Sequence, residues 1–388
     1  MLRNLVAKLS RWSTPVLVLL GVALIAIIAL LGSGWYYSDA LKDGALEPDR
    51  EPPKLDLKVL AVDEDSMTLG VTPLTKSDGD WTQNGTFGLE WEDGYGQVGA
   101  ILEIDDRHVV RQFIHLGEEP EAGARARLDS FAFPGDPFES FGIPFQEVTF
   151  SSPIGDFPAW LVDTSSDTWV IFVHGKGADR REALRILPTV MDLGLTTLVI
   201  TYRNDPEAPA GADGSYRYGQ TEWEDLQAAA DYAIGHGAET LVLVGYSMGG
   251  AIVTSFLYRS SLADRVAGVI LDSPMLNFGA TVDLAASERG LPDILTAVGK
   301  AIFALRFDVD WGDLDYLERA DELTAPVLLF HGDADKRVPV KTSDALAQAR
   351  PDIVTYVRIA GAGHVRSWNA DPAGYAAAVR SFLERVIP

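Results

Sequence analysis

From Gln146 onward, short runs of apolar, β-favouring residues alternate with helical patterns, and this alternation constrains the fold more than any other feature. Residues 147–150 and 159–162 read as a first hairpin. The strands that follow are 169–173, 197–201, 240–244, 266–271, 326–330 and 354–359. Helical patterns lie between them at 181–193, 222–234, 251–259, 343–348 and 375–386, with weaker ones at 292–305 and 314–322. Strands apolar along their whole length are buried on both faces, and parallel neighbours need a long crossover. The expectation over residues 146–388 is therefore an α/β domain: a mainly parallel, eight-stranded sheet with helices on both faces. Thr221-Glu222-Trp223-Glu224 reads as a capping box that starts one of the helices.

Gly245-Tyr246-Ser247-Met248-Gly249 sits between the strand 240–244 and the helix pattern 251–259. A serine on a sharp strand-to-helix turn is forced toward solvent at the strand's C-terminal end. Small neighbours are needed there because backbones approach closely. The free N–H groups of the helix N-terminus point at the same spot and can stabilise an oxyanion. A serine hydroxyl needs a base to become nucleophilic. His364, on the loop Ala360-Gly361-Ala362-Gly363-His364 after the last strand, is the first candidate, and His331 is the alternative. His174 also ends a strand, while His108 and His115 lie far upstream and His236 lies in a polar connection. The base in turn needs a carboxylate to hold its tautomer. His331-Gly332-Asp333-Ala334-Asp335 offers Asp335 first and Asp333 second. The order Ser247, Asp335, His364 along the chain differs from that of the chymotrypsin and subtilisin triads. Two backbone N–H donors should complete the site. One is that of Met248, and the other, in the loop His174-Gly175-Lys176-Gly177, is placed at Lys176.

With these motifs in order (HGKG, GYSMGG, HGDADKRVP and GAGH), residues 146–388 resemble the α/β-hydrolase superfamily of serine hydrolases. The similarity is to the compact Bem46-like and prolyl-oligopeptidase-like members, a group that the stretch Tyr218-Gly219-Gln220-Thr221-Glu222-Trp223-Glu224-Asp225-Leu226 also resembles. The resemblance implies Ser247 as nucleophile, Asp335 as acid and His364 as base, with no metal and no cofactor. The segment 275–324, where many relatives carry a large lid, is short and suggests a small cap and an open serine. The expected reaction is cleavage of a small carboxylic ester or thioester through an acyl-enzyme. A prolyl-oligopeptidase-type peptidase, an acyltransferase and a non-catalytic scaffold are the alternatives.

The N-terminal third is different in kind. Arg3, Lys8 and Arg11 precede an unbroken apolar run, 16–31, and Trp35, Tyr36 and Tyr37 follow it. One helix over residues 15–37 would be about 34 Å long, enough for a bilayer core of about 30 Å. The basic end predicts a cytoplasmic N-terminus, with 1–37 as stub and single transmembrane helix and the rest outside. The alternative is a cleaved signal peptide and a secreted protein. Residues 38–54 read as a Pro-containing linker, and 55–135 as a small β-rich module that opens with a hairpin at 55–71. The chain carries 32 Lys+Arg against 56 Asp+Glu, a formal charge of −24, which disfavours nucleic acid as a partner. It has no cysteine, so disulfides and thiolate nucleophiles are excluded.

Overall fold

The computed structural model describes residues 14–48, 51–77, 79–114 and 119–387. Arg3, Lys8, Arg11 and His115 lie outside the described residues. The chain opens with helix α1 (Thr14–Leu41) and a π-helical turn, Lys42–Leu46. The helix thus runs beyond the expected end at Tyr37, and the first part of the predicted linker is helical. No proline interrupts the chain between Pro15 and Pro48, and that allows the helix to continue.

Six antiparallel strands follow: β1 (Leu57–Val62), β2 (Ser66–Val71), β3 (Phe87–Trp91), β4 (Gly94–Ile104), β5 (His108–Ile114) and β6 (Arg125–Asp129). They close into a barrel of order β1-β2-β5-β4-β3-β6. Closure comes from β6, which pairs Leu57 with Ala126 on one side and Leu89 with Leu128 on the other. The sequence reading missed β6, because Arg125-Ala126-Arg127-Leu128-Asp129 carries only two apolar residues. With every strand paired, the barrel has no open edge. Its interior is filled by Val59, Met67, Leu69, Phe87, Leu89 and Val98 among others.

Eight strands form the second sheet: β7 (Gln146–Ser152), β8 (Gly155–Val162), β9 (Thr168–Val173), β10 (Thr196–Ile200), β11 (Thr240–Tyr246), β12 (Val266–Asp272), β13 (Val327–Gly332) and β14 (Val354–Ile359). Their order is β14-β13-β12-β11-β9-β10-β8-β7. β9 to β14 run parallel, while β7 and β8 are antiparallel to their neighbours. The predicted mainly parallel, eight-stranded sheet is thus the observed one, and the antiparallel hairpin lies at its edge.

After α1, the α-helices of six or more residues are α2 (Leu187–Asp192), α3 (Trp223–Gly235), α4 (Met248–Arg259), α5 (Phe278–Glu288), α6 (Asp293–Phe307), α7 (Val340–Ala349) and α8 (Pro372–Val386). Three local expectations change. The 181–193 pattern is split into a 3-10 turn, Arg180–Arg185, and α2, because Pro188 cannot donate to the turn before it. Residues Tyr316–Glu322 form 3-10 turns with a kink at Arg319, not an α-helix. No capping box forms at Thr221: the helix starts after Glu222 without a side-chain cap, and the Glu224 carboxylate that the box would use accepts from Arg203 Nη2 at 2.9 Å. The Glu222 carboxylate accepts the N–H groups of Arg217 and Gly219 at 2.6 and 2.9 Å. Glu222 is fully buried, and desolvation raises its pKa even though these donors pull it down.

The chain divides into two compact units. One comprises the N-terminal segment through Glu47 and residues 285–312, which contain α6. In it, Gly34 of α1 lies so close to α6 that a Cβ there would stand 2.6 Å from Val298 Cγ1. Arg306 of α6 stacks over Trp35 at 3.8 Å and donates to Asp39 at 2.6 Å. Part of the segment expected to be a cap thus packs on the N-terminal helix. The other unit holds both the barrel and the eight-stranded sheet.

Candidate active site

Strands β11, β13 and β14 are parallel, so their C-terminal ends lie on one edge of the sheet. Ser247 follows β11, Asp335 lies just past β13, and His364 lies past β14. Ser247 has φ +50° and ψ −114°, a backbone conformation that costs a non-glycine residue about 1–3 kcal/mol. Neighbouring chains enforce it. A Cβ on Gly249 would stand 2.1 Å from the carbonyl oxygen of Val173, and one on Gly245 would stand 2.7 Å from that of Gly249. Only glycine fits at either place.

The three side chains form one hydrogen-bonded line. His364 Nδ1 is 2.7 Å from Asp335 Oδ2, and His364 Nε2 is 2.8 Å from Ser247 Oγ. A carboxylate can only accept, so Nδ1 carries the hydrogen and Nε2 accepts from the serine hydroxyl. Asp335 Oδ1 accepts the N–H groups of Arg337 and Val338 at 2.7 and 2.9 Å. Burial works to raise the Asp335 pKa. His364 and His331, by charge and hydrogen bonding, outweigh it and hold the carboxyl well below the usual range.

The alternatives are placed elsewhere. His331 is fully buried and reaches the same Asp335 oxygen as His364, its Nε2 3.2 Å from Oδ2 and its Nδ1 2.7 Å from Ser343 Oγ. It steadies the carboxylate and does not contact Ser247. Asp333 accepts the N–H of Gly361 at 2.7 Å. His236 is exposed and stacks on Tyr232, and His108 pairs with Asp105 in the barrel.

The loop after β9 comes up to the serine. A Cβ on Gly175 would stand 3.2 Å from Ser247 Cβ. Glu182 fixes this loop by accepting the Gly175 N–H at 2.8 Å. Lys176 follows, its ammonium 5.8 Å from the centre of the Tyr216 ring. Met248 opens α4, where first-turn N–H groups have no intrahelical acceptor. Below the loop lies a pair that the sequence reading missed. His174 Nε2 is 2.9 Å from Asp205 Oδ2, and its Nδ1 is 2.9 Å from the carbonyl oxygen of Gly175. Both ring nitrogens face acceptors, so both must donate and the buried ring is a cation. Burial pulls the His174 pKa down, but Asp205 and the Gly175 carbonyl outweigh it and raise it to about 9.

This pair has a testable consequence. A pKa raised from 6.5 to about 9 gives a stabilisation that is complete below about pH 6.5 and lost as the pH rises through 9. At one pKa unit per 1.36 kcal/mol, it is on the order of 3 kcal/mol. Asp205→Asn is expected to lower the stability by a similar amount at about pH 6 and by much less at about pH 10. Urea unfolding at the two pH values measures this, and an equal loss at both would refute the assignment.

A cleft of about 1560 Å³ reaches His364. Tyr216, Lys336 and Arg337 line one side, and the barrel residues Trp81, Gln83 and Tyr95 line the other.

This fold, with its strained serine turn and strand-end histidine, defines a hydrolase of the α/β type. The sequence profile of the alpha/beta hydrolase family matches residues 170–378, more than half of the chain, and the protein belongs to that family. A second profile, described as a domain of unknown function (DUF8805), matches residues 58–129 in the barrel. Among solved structures, an esterase of Pyrococcus furiosus matches with a TM-score of 0.53 and 20% identity, over 66% of this chain and 97% of its own. A Xanthomonas campestris protein described as a serine hydrolase without a lid matches with a TM-score of 0.45 and 18% identity, over 63% of this chain and 95% of its own. At 20% identity the likeness to the esterase is one of fold.

Proposed function

We propose that the protein is a membrane-anchored serine hydrolase that cleaves small carboxylic esters or thioesters. The observation that carries this reading is the unbroken line Ser247–His364–Asp335, with bonds of 2.8 and 2.7 Å, built on a strained turn. In the proposed reaction, Ser247 Oγ attacks the acyl carbonyl and its proton passes to His364 Nε2. Asp335 stabilises the imidazolium that forms. The backbone N–H groups of Met248 and Lys176 bind the oxyanion, each contributing about 3–4 kcal/mol to the transition state. His364 then protonates the leaving group, and water, activated by the same ring, releases the acyl group from Ser247.

A panel of p-nitrophenyl esters of increasing acyl length, run beside dipeptide amides, tests the substrate class. Ester turnover without amide turnover is expected. Preferential amide cleavage would make the protein a peptidase, and product diverted by added alcohols would make it an acyltransferase.

The anchor rests on α1. It has 28 residues, and its most apolar 18-residue window has a mean hydropathy of 2.9 with none of that window buried. Its apolar side chains, among them Leu19, Ile25 and Ile28, face outward. Trp35 and Tyr36, near its end, suit a membrane–water interface. With Arg3, Lys8 and Arg11 ahead of it, the N-terminus is assigned to the cytoplasm and the hydrolase to the outside. Alkaline carbonate washing of membranes should leave the full-length chain in the pellet. Release of a shortened chain whose N-terminus maps beyond α1 would instead establish a cleaved signal.

A further inference from the structure

The barrel grips the loop that carries His364 on both sides of the histidine. Before it, Gly363 N–H donates to Gln83 Oε1 at 3.2 Å, and a Cβ on Gly363 would stand 2.9 Å from the Gln83 amide. After it, the Arg366 guanidinium meets Asp80 in a two-pronged pair, 2.9 Å on each prong. The third nitrogen of the same guanidinium donates back to the His364 carbonyl oxygen at 2.9 Å. Further on, Asn369 Nδ2 donates to the carbonyl oxygens of Thr86 and Ser130 at 2.7 and 2.9 Å, and Thr86 N–H donates to Asn369 O at 2.8 Å. At Gly85, with φ +131°, a Cβ would stand 2.2 Å from Asn369 O, so only glycine lets the two segments lie this close.

The gripping segment is itself fixed from inside the barrel. Arg111 is fully buried and donates to the carbonyl oxygens of Gln83, Gly85 and Gly99 at 2.8 to 3.1 Å. A buried guanidinium holding three carbonyls is expensive to displace, since each would lose a charge-assisted hydrogen bond in a dry site. A continuous set of bonds therefore runs from the barrel core, through Gln83 and Asp80, to Gly363 and Arg366 on either side of His364.

We propose that the barrel is a positioning unit for the general base: Gln83 and Asp80 hold the His364 loop so that Nε2 stays within reach of Ser247 Oγ. This rests on the serine-hydrolase reading, and it gives the barrel a role in the reaction beyond that of a spacer. A loop rich in glycine, Gly361-Ala362-Gly363, has little stiffness of its own. The barrel's clamp adds to the bonds from the sheet domain, where Asp333 accepts the Gly361 N–H at 2.7 Å, Ser273 Oγ accepts the Val365 N–H at 3.1 Å and Arg185 donates to the Val365 carbonyl at 3.0 Å. Displacing a reacting group by about 1 Å can cost about 100-fold in rate.

The test uses the full-length chain. Gln83→Met removes the acceptor while keeping the side chain's length. Asp80→Asn weakens the pair to Arg366, and Asp80→Glu keeps its charge. Each variant is titrated with a fluorophosphonate, so that kcat and labelling rate are expressed per reactive site, and its melting temperature is recorded. The combined Gln83→Met, Asp80→Asn variant is expected to lose about 10- to 100-fold in kcat. Labelling should slow by the same factor and KM should stay within about twofold, since the change acts on the base and not on binding. Asp80→Glu should recover more of the rate than Asp80→Asn.

A merely structural role would lower the number of titratable sites and the melting temperature but leave the rate per site intact, and that result would overturn the proposal. So would a raised KM at unchanged kcat, which would make the barrel only a wall of the cleft. Ser247→Ala separates the two levels. Full activity in that variant would sink the hydrolase reading itself, whereas its inactivity beside normal clamp variants would sink the positioning role alone.

Discussion

Ser247→Ala is expected to abolish fluorophosphonate labelling and to lower kcat on a p-nitrophenyl ester by about 10⁶-fold. The size follows from what the hydroxyl does at this place. It is the atom 2.8 Å from His364 Nε2, at the start of α4 and beside the loop after β9, whose N–H groups the proposed reaction assigns to the oxyanion. Alanine removes the nucleophile and leaves the oxyanion donors, so a residual rate above that of water should persist. The fold should be spared. Serine and alanine differ by one small atom, the strained φ of +50° remains, and Oγ donates outward to the histidine and not into the core. An unchanged melting temperature with lost labelling is therefore the combined expected result. Labelling that persists at another residue would refute Ser247 as the nucleophile.

Asp335→Asn is expected to cost about 10⁴-fold in kcat, with a different signature. The asparagine amide can present an N–H where the carboxylate presented Oδ2. The ring then turns its lone pair toward position 335 and its hydrogen toward Ser247, and a protonated Nε2 cannot take the serine proton. Asp335 also accepts the N–H groups of Arg337 and Val338 and sits beside the buried His331. The substitution therefore touches stability as well as rate. The wild-type carboxyl has a depressed pKa, so its stabilisation is complete above the ordinary carboxylate range and is lost as the pH falls through its folded value. The wild type should lose this part of its stability on acidification, and the asparagine variant should lack it throughout. A variant with full kcat, or with a melting temperature whose acid dependence matches the wild type, would show that Asp335 is not the partner of His364.

The site was legible in the sequence to the extent that each part of it is local. A glycine-flanked serine between a strand and a helix, and a histidine or an aspartate just beyond a buried strand, are patterns of a few residues. Once the strands are parallel, the ends of β11, β13 and β14 must share an edge, so chain order and strand direction suffice to gather Ser247, Asp335 and His364. What surrounds them depends on pairs distant in sequence. His174 and Asp205 belong to different loops, and nothing in either segment marks the other as its partner. Arg366 and Asp80 are 286 residues apart. Charged residues such as these read as solvated surface until the fold brings them together. β6 escaped notice because its strand character comes from two partners in the barrel and not from its own composition. The Thr221 capping box failed for a related reason, since Arg203, distant in sequence, bonds the Glu224 carboxylate that the box would have used.

The sequence by itself determined the alternation of strand and helix, hence the parallel sheet, the edge on which the chemistry-bearing residues gather, and the long apolar helix ahead of them. These follow from periodicity and steric limits that act over a few residues. Only the tertiary structure decided that residues 285–312 pack with α1, that His331 joins His364 on the Asp335 carboxylate, and that a closed barrel holds the loop of His364. Those outcomes depend on which polar groups are buried against one another. A buried donor or acceptor takes whatever partner the packed chain brings within about 3 Å, regardless of separation along the sequence.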